Sequence, residues 1–275
     1  MHINYLQGIK KNVLGLSGLC LLVALSLVAL LAPLLTLHSP DAPSTFILAA
    51  PSAEHWLGTN DIGQDIFSRL IYGARTSLIV AIFTGLLTTM LSTLIGGSAA
   101  LIGGSYQRFV LRTIDVFLTL PHIIVIMLVA SFVRPGTGML IIVLAVFSWP
   151  GSARIIRSQV LSLKQRPHIW AARTFGAGKS YLLIKHIIPD LLPIMVSVFV
   201  QHSRRAVFME AGLAFLGITD PTIVSWGTML NKALEFSYLG LWNWLLPPGI
   251  ALSLTVIAFA FVGYTLEQIM NPRLG

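Results

Sequence analysis

Long apolar runs separated by short polar segments make up most of the chain. A helix that crosses the hydrocarbon core of a bilayer needs about 20 consecutive, mostly apolar residues. Several runs reach this length, and they are too long for strands or for ordinary core helices. The pattern therefore predicts an all-α polytopic membrane protein with six transmembrane helices, at residues 13–35, 77–102, 113–133, 139–160, 184–216 and 245–266.

The first apolar run has two interpretations. Residues 29–32, Ala-Leu-Leu-Ala, loosely resemble the cleavage site of a secretory signal peptide. The apolar part of a signal peptide covers about 7–15 residues, however, and this run is long enough to cross a membrane. We therefore expect an anchor helix, with Lys10 and Lys11 placing the N-terminus inside.

Glycine and proline residues predict where the helices pack closely or bend. Gly96 and Ala100 lie one helical turn apart and predict a seam where two helix backbones approach each other. Pro121 should kink the third helix, and Pro150 should bend the fourth. The fifth run is too long for one simple span.

The segment at residues 36–75 is the most acidic part of the chain. Gly58 and Gly63 predict turns there, and apolar residues at helical spacing over 66–71 predict a short interfacial helix before the second span. Its carboxylates could hold a metal ion, but acidic groups on a flexible outer loop are more often simply solvated. The histidines show no ligand spacing, so we predict no metal site; they are His38, His55, His122, His186 and His202.

The charge distribution indicates lipid as the main solvent. Only 10% of the residues are charged and 55% are hydrophobic, whereas a soluble domain carries about 25% charged residues. The net charge of +8 could attract nucleic acid, but the basic residues cluster between apolar runs without interleaved aromatics. The positive-inside rule explains them better, so we expect no nucleic-acid partner and both termini in the cytoplasm. The residues expected inside are Lys10, Lys11, Arg108, Arg112, Arg154, Arg157, Lys164, Arg166, Arg173, Lys179, Lys185 and Arg273.

The basic segment at residues 148–193 is predicted to be a cytoplasmic handle on the membrane-embedded body. Its sequence Gly-Ala-Gly-Lys-Ser, at 176–180, resembles the end of a phosphate-binding loop. The first glycine of such a loop would fall at Arg173, and no strand precedes it, so we reject nucleotide binding. The chain has no His-Glu-x-x-His motif either. We therefore predict no catalytic residues, and energy for transport must come from an ion gradient or from another subunit.

The same handle carries a family resemblance. Ala171 and Ala172, followed by Gly176 and Pro189, resemble the cytoplasmic loop of permease subunits of ATP-binding-cassette (ABC) importers. Other stretches resemble the second, C-type permease of dipeptide, oligopeptide and nickel importers, and the resemblance covers nearly the whole chain. These stretches are residues 55–69, 149–154, 210–217 and 225–230.

The resemblance implies a type I ABC importer permease fold. Residues 1–75 would form an anchor helix and a periplasmic loop, and residues 76–275 the permease core with a coupling loop at about 161–185. In the family this loop docks on the ATPase subunit. The residues implied to make that contact are Trp170, Ala171, Ala172, Arg173, Gly176, Ala177, Gly178 and Pro189.

The resemblance also implies partners and cargo. The partners would be a second homologous permease, two ABC ATPase subunits that use the ATP, and a periplasmic or lipid-anchored solute-binding protein. The chain itself would bind no cofactor, and it would lie in the plasma (inner) membrane of a bacterium or archaeon. The implied cargo is a small peptide, or nickel or a nickel chelate. Trp170 stands where the family usually has glutamate, which puts a glutamate-based ATPase contact in doubt but not the docking itself.

Charged residues inside the fifth apolar run support an alternative. Ionisable groups at membrane depth pair with each other or line cavities, so the polar residues there are candidates for the lining of a transport path: Gln201, His202, Arg204, Arg205 and Glu210. An ion pair between Glu210 and the arginines is the other reading. A stand-alone, ion-coupled transporter would use Asp115 and His122 together with Arg204, Arg205 and Glu210, but this alternative leaves the Ala-Ala-x-x-x-Gly loop unexplained.

Overall fold

The computed structural model describes residues 12–270. Within this range the regular elements are all helical, apart from an isolated β-bridge between Thr59 and Asp65. A π-helical turn, Leu183–Ile187, joins α8 to α9, and a short 3-10 turn, Ser237–Leu239, precedes α11. The α-helices are α1 (Val13–Leu30), α2 (Ala32–Leu35), α3 (Ile66–Ile102), α4 (Gly104–Thr119), α5 (His122–Val133), α6 (Thr137–Leu163), α7 (Pro167–Thr174), α8 (Lys179–Leu182), α9 (Ile188–Phe215), α10 (Trp226–Glu235) and α11 (Trp242–Met270).

The helices confirm a multi-pass membrane protein. Five of them are long and apolar enough to cross a bilayer: α1, α3, α6, α11 and the continuous stretch Lys179–Phe215 that ends in α9. The bent pair of α4 and α5 passes the same test when it is taken together. By length and composition, the described residues therefore contain five candidate spans, or six if the bent pair is one span.

The prediction of a separate interfacial helix before the second span is wrong. α3 is continuous over 37 residues, which corresponds to about 55 Å of helix and exceeds the roughly 30 Å of a hydrocarbon core. The Asp65 carboxylate begins the helix by accepting a hydrogen bond from the Ser68 amide, at 2.7 Å. No proline follows before Gly103, so nothing interrupts the backbone hydrogen bonds between the outer turns and the span.

The expected kink in the third span is a break. α4 and α5 meet at an angle of 83°, and the backbones of Leu120 and Pro121 are extended between them. Pro121 has no amide hydrogen to donate, and its ring disfavours a helical conformation at Leu120. Pro150, by contrast, lies inside the continuous helix α6.

α3 is the central helix, and it packs against both α6 and α9. A Cβ atom built on Gly96 would come within 3.0 Å of the Ala153 carbonyl carbon of α6. A Cβ atom on Gly85 would lie 3.0 Å from the Phe199 carbonyl oxygen of α9. The predicted packing seam at Gly96 is therefore confirmed, and Gly85 extends it to a second helix.

Both ends of the described chain lie on one side of the bundle. The Asn12 side-chain amide donates to the Gln268 side-chain oxygen at 2.9 Å, which joins the start of α1 to the end of α11. At the opposite end, Ala29 of α1 packs in one cluster with Ile66 and Trp244. The sidedness prediction also used Lys10, Lys11 and Arg273, which lie outside the described residues.

Candidate functional site: the coupling segment and the central cavity

The coupling segment, residues 161–185, is built around the short helix α7. Pro167 occupies its first turn, where a missing amide hydrogen costs nothing. At its end the Ala177 amide donates to the Ala172 carbonyl at 3.1 Å, and the Gly176 amide donates to the Arg173 carbonyl at 3.0 Å. These two bonds form a Schellman motif, which needs a left-handed residue. Gly176 provides it with φ +85°.

Apolar residues on the inner face of the coupling segment join it to three long helices. Ile169 and Leu182 are 2% and 4% exposed, and Ile187, two residues beyond the segment, is 0% exposed. They lie in one buried cluster with residues of α3, α6 and α9. The residues contributed by those helices are Ala100, Leu101, Ile156, Val160, Leu163 and Leu191. Because buried side chains are packed closely, a displacement of α7 must be transmitted to all three helices.

Polar contacts hold the segment at its two ends. Lys164 donates to the Ala100 carbonyl at the end of α3, with a distance of 2.9 Å. Burial lowers the pKa of Lys164, and the nearby charges of Arg173 and Lys179 lower it further. Asp190, in the first turn of α9, accepts a hydrogen bond from Arg166 at 3.0 Å and lies 3.3 Å from His168. These contacts keep α7 against the end of α3 and the start of α9, which are both predicted to face the cytoplasm.

The outer face of the coupling segment exposes aromatic residues. Phe175 is 91% exposed, Trp170 65% and Tyr181 55%. We call these three residues the aromatic patch. Among the other predicted contact residues, Ala171, Ala172 and Ala177 are half-buried, and Arg173, Gly176, Gly178 and Pro189 are exposed. Within α7 itself, the exposed Trp170 directly follows the buried Ile169, so one short helix contributes to both the patch and the buried cluster.

A central cavity of about 610 Å³ lies between the break that separates α4 from α5 and the middle of α9. His122, His202, Arg204 and Arg205 line it, together with mostly apolar side chains and no carboxylate. His202 is 5% exposed and shares a hydrogen bond of 2.6 Å with the Ser152 hydroxyl. The wall is therefore apolar with a cationic region, which suits a ligand that carries negative charge.

The predicted path residues do not form one group. His202, Arg204 and Arg205 line the central cavity. Gln201 instead donates to Glu267 of α11 at 2.9 Å, in a second groove that Arg204 also borders. Glu210 is 3% exposed and accepts from the Ser77 hydroxyl at 3.0 Å.

Over residues 12–270, neither Arg204 nor Arg205 forms an ion pair with Glu210. Asp115 pairs with Arg154, away from the cavity lining. Sequence reasoning did not single out Ser152 as a partner of His202, because a lone serine on an apolar helix carries no distinguishing signal.

Comparison with known proteins decides the family. A family model described as the binding-protein-dependent transport system inner membrane component matches residues 89–275. The chain belongs to this family. The matched range contains the whole coupling segment and nearly all of the residues that line the central cavity, so both features lie in the part of the chain that defines the permease.

Individual relatives extend the similarity to nearly the full length. The permease is 35% identical to the dipeptide transport system permease protein DppC of Bacillus subtilis, over 97% of this chain and 84% of the relative. It is 37% identical to a putative peptide permease protein of Brucella suis, over 96% and 88%. It is 35% identical to the nickel transport system permease protein NikC of Escherichia coli, over 94% and 93%.

Proposed function

We propose that this permease is one of the two membrane subunits of an ABC importer. A second, homologous permease completes the pathway, two ABC ATPase subunits bind the coupling segments, and a solute-binding protein delivers the cargo from outside. The ATPase subunits use the ATP, and this chain binds no cofactor. The observation that carries the proposal is the buried cluster that joins the inner face of the coupling segment to α3, α6 and α9, while the aromatic patch on the same segment is exposed.

The proposed topology has six spans, with both termini and the coupling segment in the cytoplasm of a cell bounded by the plasma (inner) membrane. Lys164 links the end of α3 to the end of α6 through the Ala100 carbonyl, and the bent pair leads from that side to the start of α6. This supports treating α4 and α5 as one broken span. The concentration of cations near residues 154–185 supports the cytoplasmic assignment.

The experiment compares two substitutions at Gly176. Valine is β-branched and disfavours φ +85°, whereas asparagine tolerates it. Since nothing lies within 4 Å of a Cβ at this position, the comparison isolates backbone strain from steric clash. We expect Gly176→Val to abolish cargo-stimulated ATP hydrolysis and uptake while the protein still inserts, and Gly176→Asn to retain most of both. Equal activity in the two variants would refute the coupling role of this turn.

We propose small peptides with a free carboxylate as the cargo. The central cavity presents Arg204 and Arg205 and no carboxylate lining residue, so it repels a bare divalent cation and attracts a carboxylate. The peptide permeases among the relatives support the same cargo. Nickel, the substrate named for NikC, would pass through this cavity only as a chelate whose carboxylates outweigh the metal charge.

The cargo proposal is tested with the assembled transporter in proteoliposomes and the binding protein supplied in excess. We expect uptake of a dipeptide and no uptake of free Ni²⁺. Replacing both Arg204 and Arg205 with glutamine should reduce peptide uptake at least about ten-fold, since a hydrogen bond to a charged group contributes roughly 1.5–3 kcal/mol. Arg75 provides the control, because it lies near the start of α3 and does not line the cavity. Arg75→Gln should leave uptake unchanged. Uptake of free Ni²⁺ would contradict the peptide assignment.

A further inference from the structure

In the outer polar segment, residues 36–65, one side chain meets two neighbouring side chains that follow at least 16 residues later in the sequence. His38, Glu54 and His55 each place one ligand-type atom within 4.8 Å of the other two. They are the one such group found over residues 12–270. Neither the coupling segment nor the central cavity includes them, so the proposed transport function does not explain their arrangement.

The hydrogen bonds around the two histidines leave one ring nitrogen of each available. His55 Nδ1 lies 3.0 Å from the Asp65 carboxylate, which can only accept a hydrogen bond when it is ionised, so Nδ1 carries the hydrogen and Nε2 keeps its lone pair. His38 Nε2 lies 3.1 Å from the Glu54 backbone carbonyl, so its Nδ1 keeps a lone pair. In metal sites, the ring nitrogen of histidine that does not bind the metal commonly donates a hydrogen bond to a carboxylate, which fixes the orientation of the ring.

The three donors differ in how firmly they are held. His55 and Asp65 are 6% and 3% exposed, and Asp65 also begins α3 through the Ser68 amide. His38 is half-buried and Glu54 is exposed, and the two border a small pocket of about 20 Å³ with Asp65. One donor is therefore fixed to the start of a spanning helix, and the other two can rotate towards it.

The remaining distance is small enough for side-chain rotation. A tetrahedral Zn²⁺ ion with bonds of about 2.0–2.1 Å needs donor atoms about 3.3 Å apart, so the donors must approach by about 1.5 Å from their 4.8 Å limit. His38 and Glu54 can supply this movement without disturbing the buried pair of His55 and Asp65. Three protein donors leave the fourth position for water.

We propose that His38, Glu54 and His55 bind a first-row divalent transition-metal ion of the Zn²⁺ type. Two imidazoles and one carboxylate suit such an ion, whereas Mg²⁺ and Ca²⁺ prefer oxygen donors alone. The bound ion ties the chain that follows α2 to the loop that precedes α3, across 16 residues. It is separate from the central cavity and stabilises the outer segment irrespective of the cargo.

The site is tested by titrating ZnCl₂ into the chelator-treated, assembled transporter, purified without a polyhistidine tag. His38→Gln and Glu54→Gln remove donors from mobile positions and leave the buried His55–Asp65 pair intact. The matched controls are His186→Gln and Glu235→Gln, a half-buried histidine and an exposed acid outside the site. Calorimetry should show one Zn²⁺ more per permease in the wild type and the controls than in the double variant His38→Gln/Glu54→Gln.

We expect each single substitution in the site to weaken this binding by at least about ten-fold, and each control to change it less than two-fold. Saturating Zn²⁺ should also raise the unfolding temperature of the wild type and not that of the double variant. X-ray absorption at the zinc edge should show two imidazole ligands. Equal Zn²⁺ binding by the wild type and the double variant, or a zinc spectrum without histidine, would overturn the proposal.

Discussion

At the scale of single residues, exposure separates the side chains that hold the permease together from those available to a partner. In the coupling segment Ile169 is 2% exposed, whereas Trp170, the next residue, is 65% exposed. A large aromatic side chain that is not buried in its own chain gains most by burial against another protein. In the proposed docking, Trp170 would therefore supply apolar contact area to the ATPase subunit.

Replacing the aromatic patch should weaken docking without weakening the fold. We expect Trp170→Ala and Phe175→Ser each to reduce the affinity of the ATPase subunit at least about ten-fold, because aromatic anchors at the centre of interfaces contribute roughly 2 kcal/mol or more. The permease should keep its unfolding temperature, since both side chains are exposed. Tyr238→Ser is the control, because Tyr238 is 78% exposed near α11. Co-purification of the ATPase subunit measures the effect, and wild-type affinity in both variants would contradict it.

Lys164 predicts a pH dependence. Burial lowers its pKa in the folded protein, so the unfolded chain binds the proton more tightly and folding becomes more favourable as the proton is released. The energetic cost of the buried charge is present below the folded pKa and disappears as the pH rises towards the unfolded value of about 10.4. The free energy of unfolding of the wild type, relative to Lys164→Met, should therefore increase as the pH rises towards the unfolded pKa of about 10.4. A constant or decreasing difference would be inconsistent with a lowered pKa for this half-buried amine.

At the scale of secondary-structure elements, sequence patterns predicted the existence of the helices better than their boundaries. The apolar runs were sufficient to place α1, α6 and α11. The 83° break between α4 and α5 could not be predicted from the sequence, because a proline indicates a bend but its size depends on the surrounding packing.

Close packing of α3 gives a prediction at this scale. Gly85→Val and Gly96→Val would force a side chain against the backbones of α9 and α6, and overpacking of this kind costs about 1–3 kcal/mol. Gly212→Val on α9 is the control, because nothing lies within 4 Å of its Cβ position. We expect lower unfolding temperatures for the first two variants and a small change for the third. Thermal unfolding in detergent measures all three, and similar values would argue against the seam.

At the scale of the whole molecule, the family and its general topology could be predicted, but the composition of the candidate sites could not. The coupling turn depends on local geometry, so Gly176 stood out in the sequence. The central cavity and the outer histidine group depend on contacts between distant segments, such as His38 with Glu54 or Ser152 with His202. Such pairs leave no periodic signal in one sequence. The arginines were identified as polar residues at membrane depth, but their separation from Glu210 required the packed structure.

The proposed orientation makes a prediction for the complete transporter. In a background where Cys20 is replaced by serine, Trp56→Cys and Phe175→Cys each introduce one exposed thiol at opposite ends of the bundle. A membrane-impermeant maleimide applied to intact cells should label the cysteine at position 56 and not that at position 175. Permeabilised cells lacking the ATPase subunit should label both. External labelling at position 175 would reverse the orientation and remove the basis for ATPase docking.

The exposure of Phe175 and Trp170 has a consequence for the cell that makes this protein. A permease synthesised in excess of its ATPase partner exposes these aromatic side chains to water. Such a permease can aggregate, or it can be degraded by proteases that remove unassembled subunits. Assembly then hides these side chains and lengthens the lifetime of the permease. The abundance of the permease is therefore expected to follow the supply of its partner, so that deleting the ATPase gene lowers the permease level without any change in its transcription.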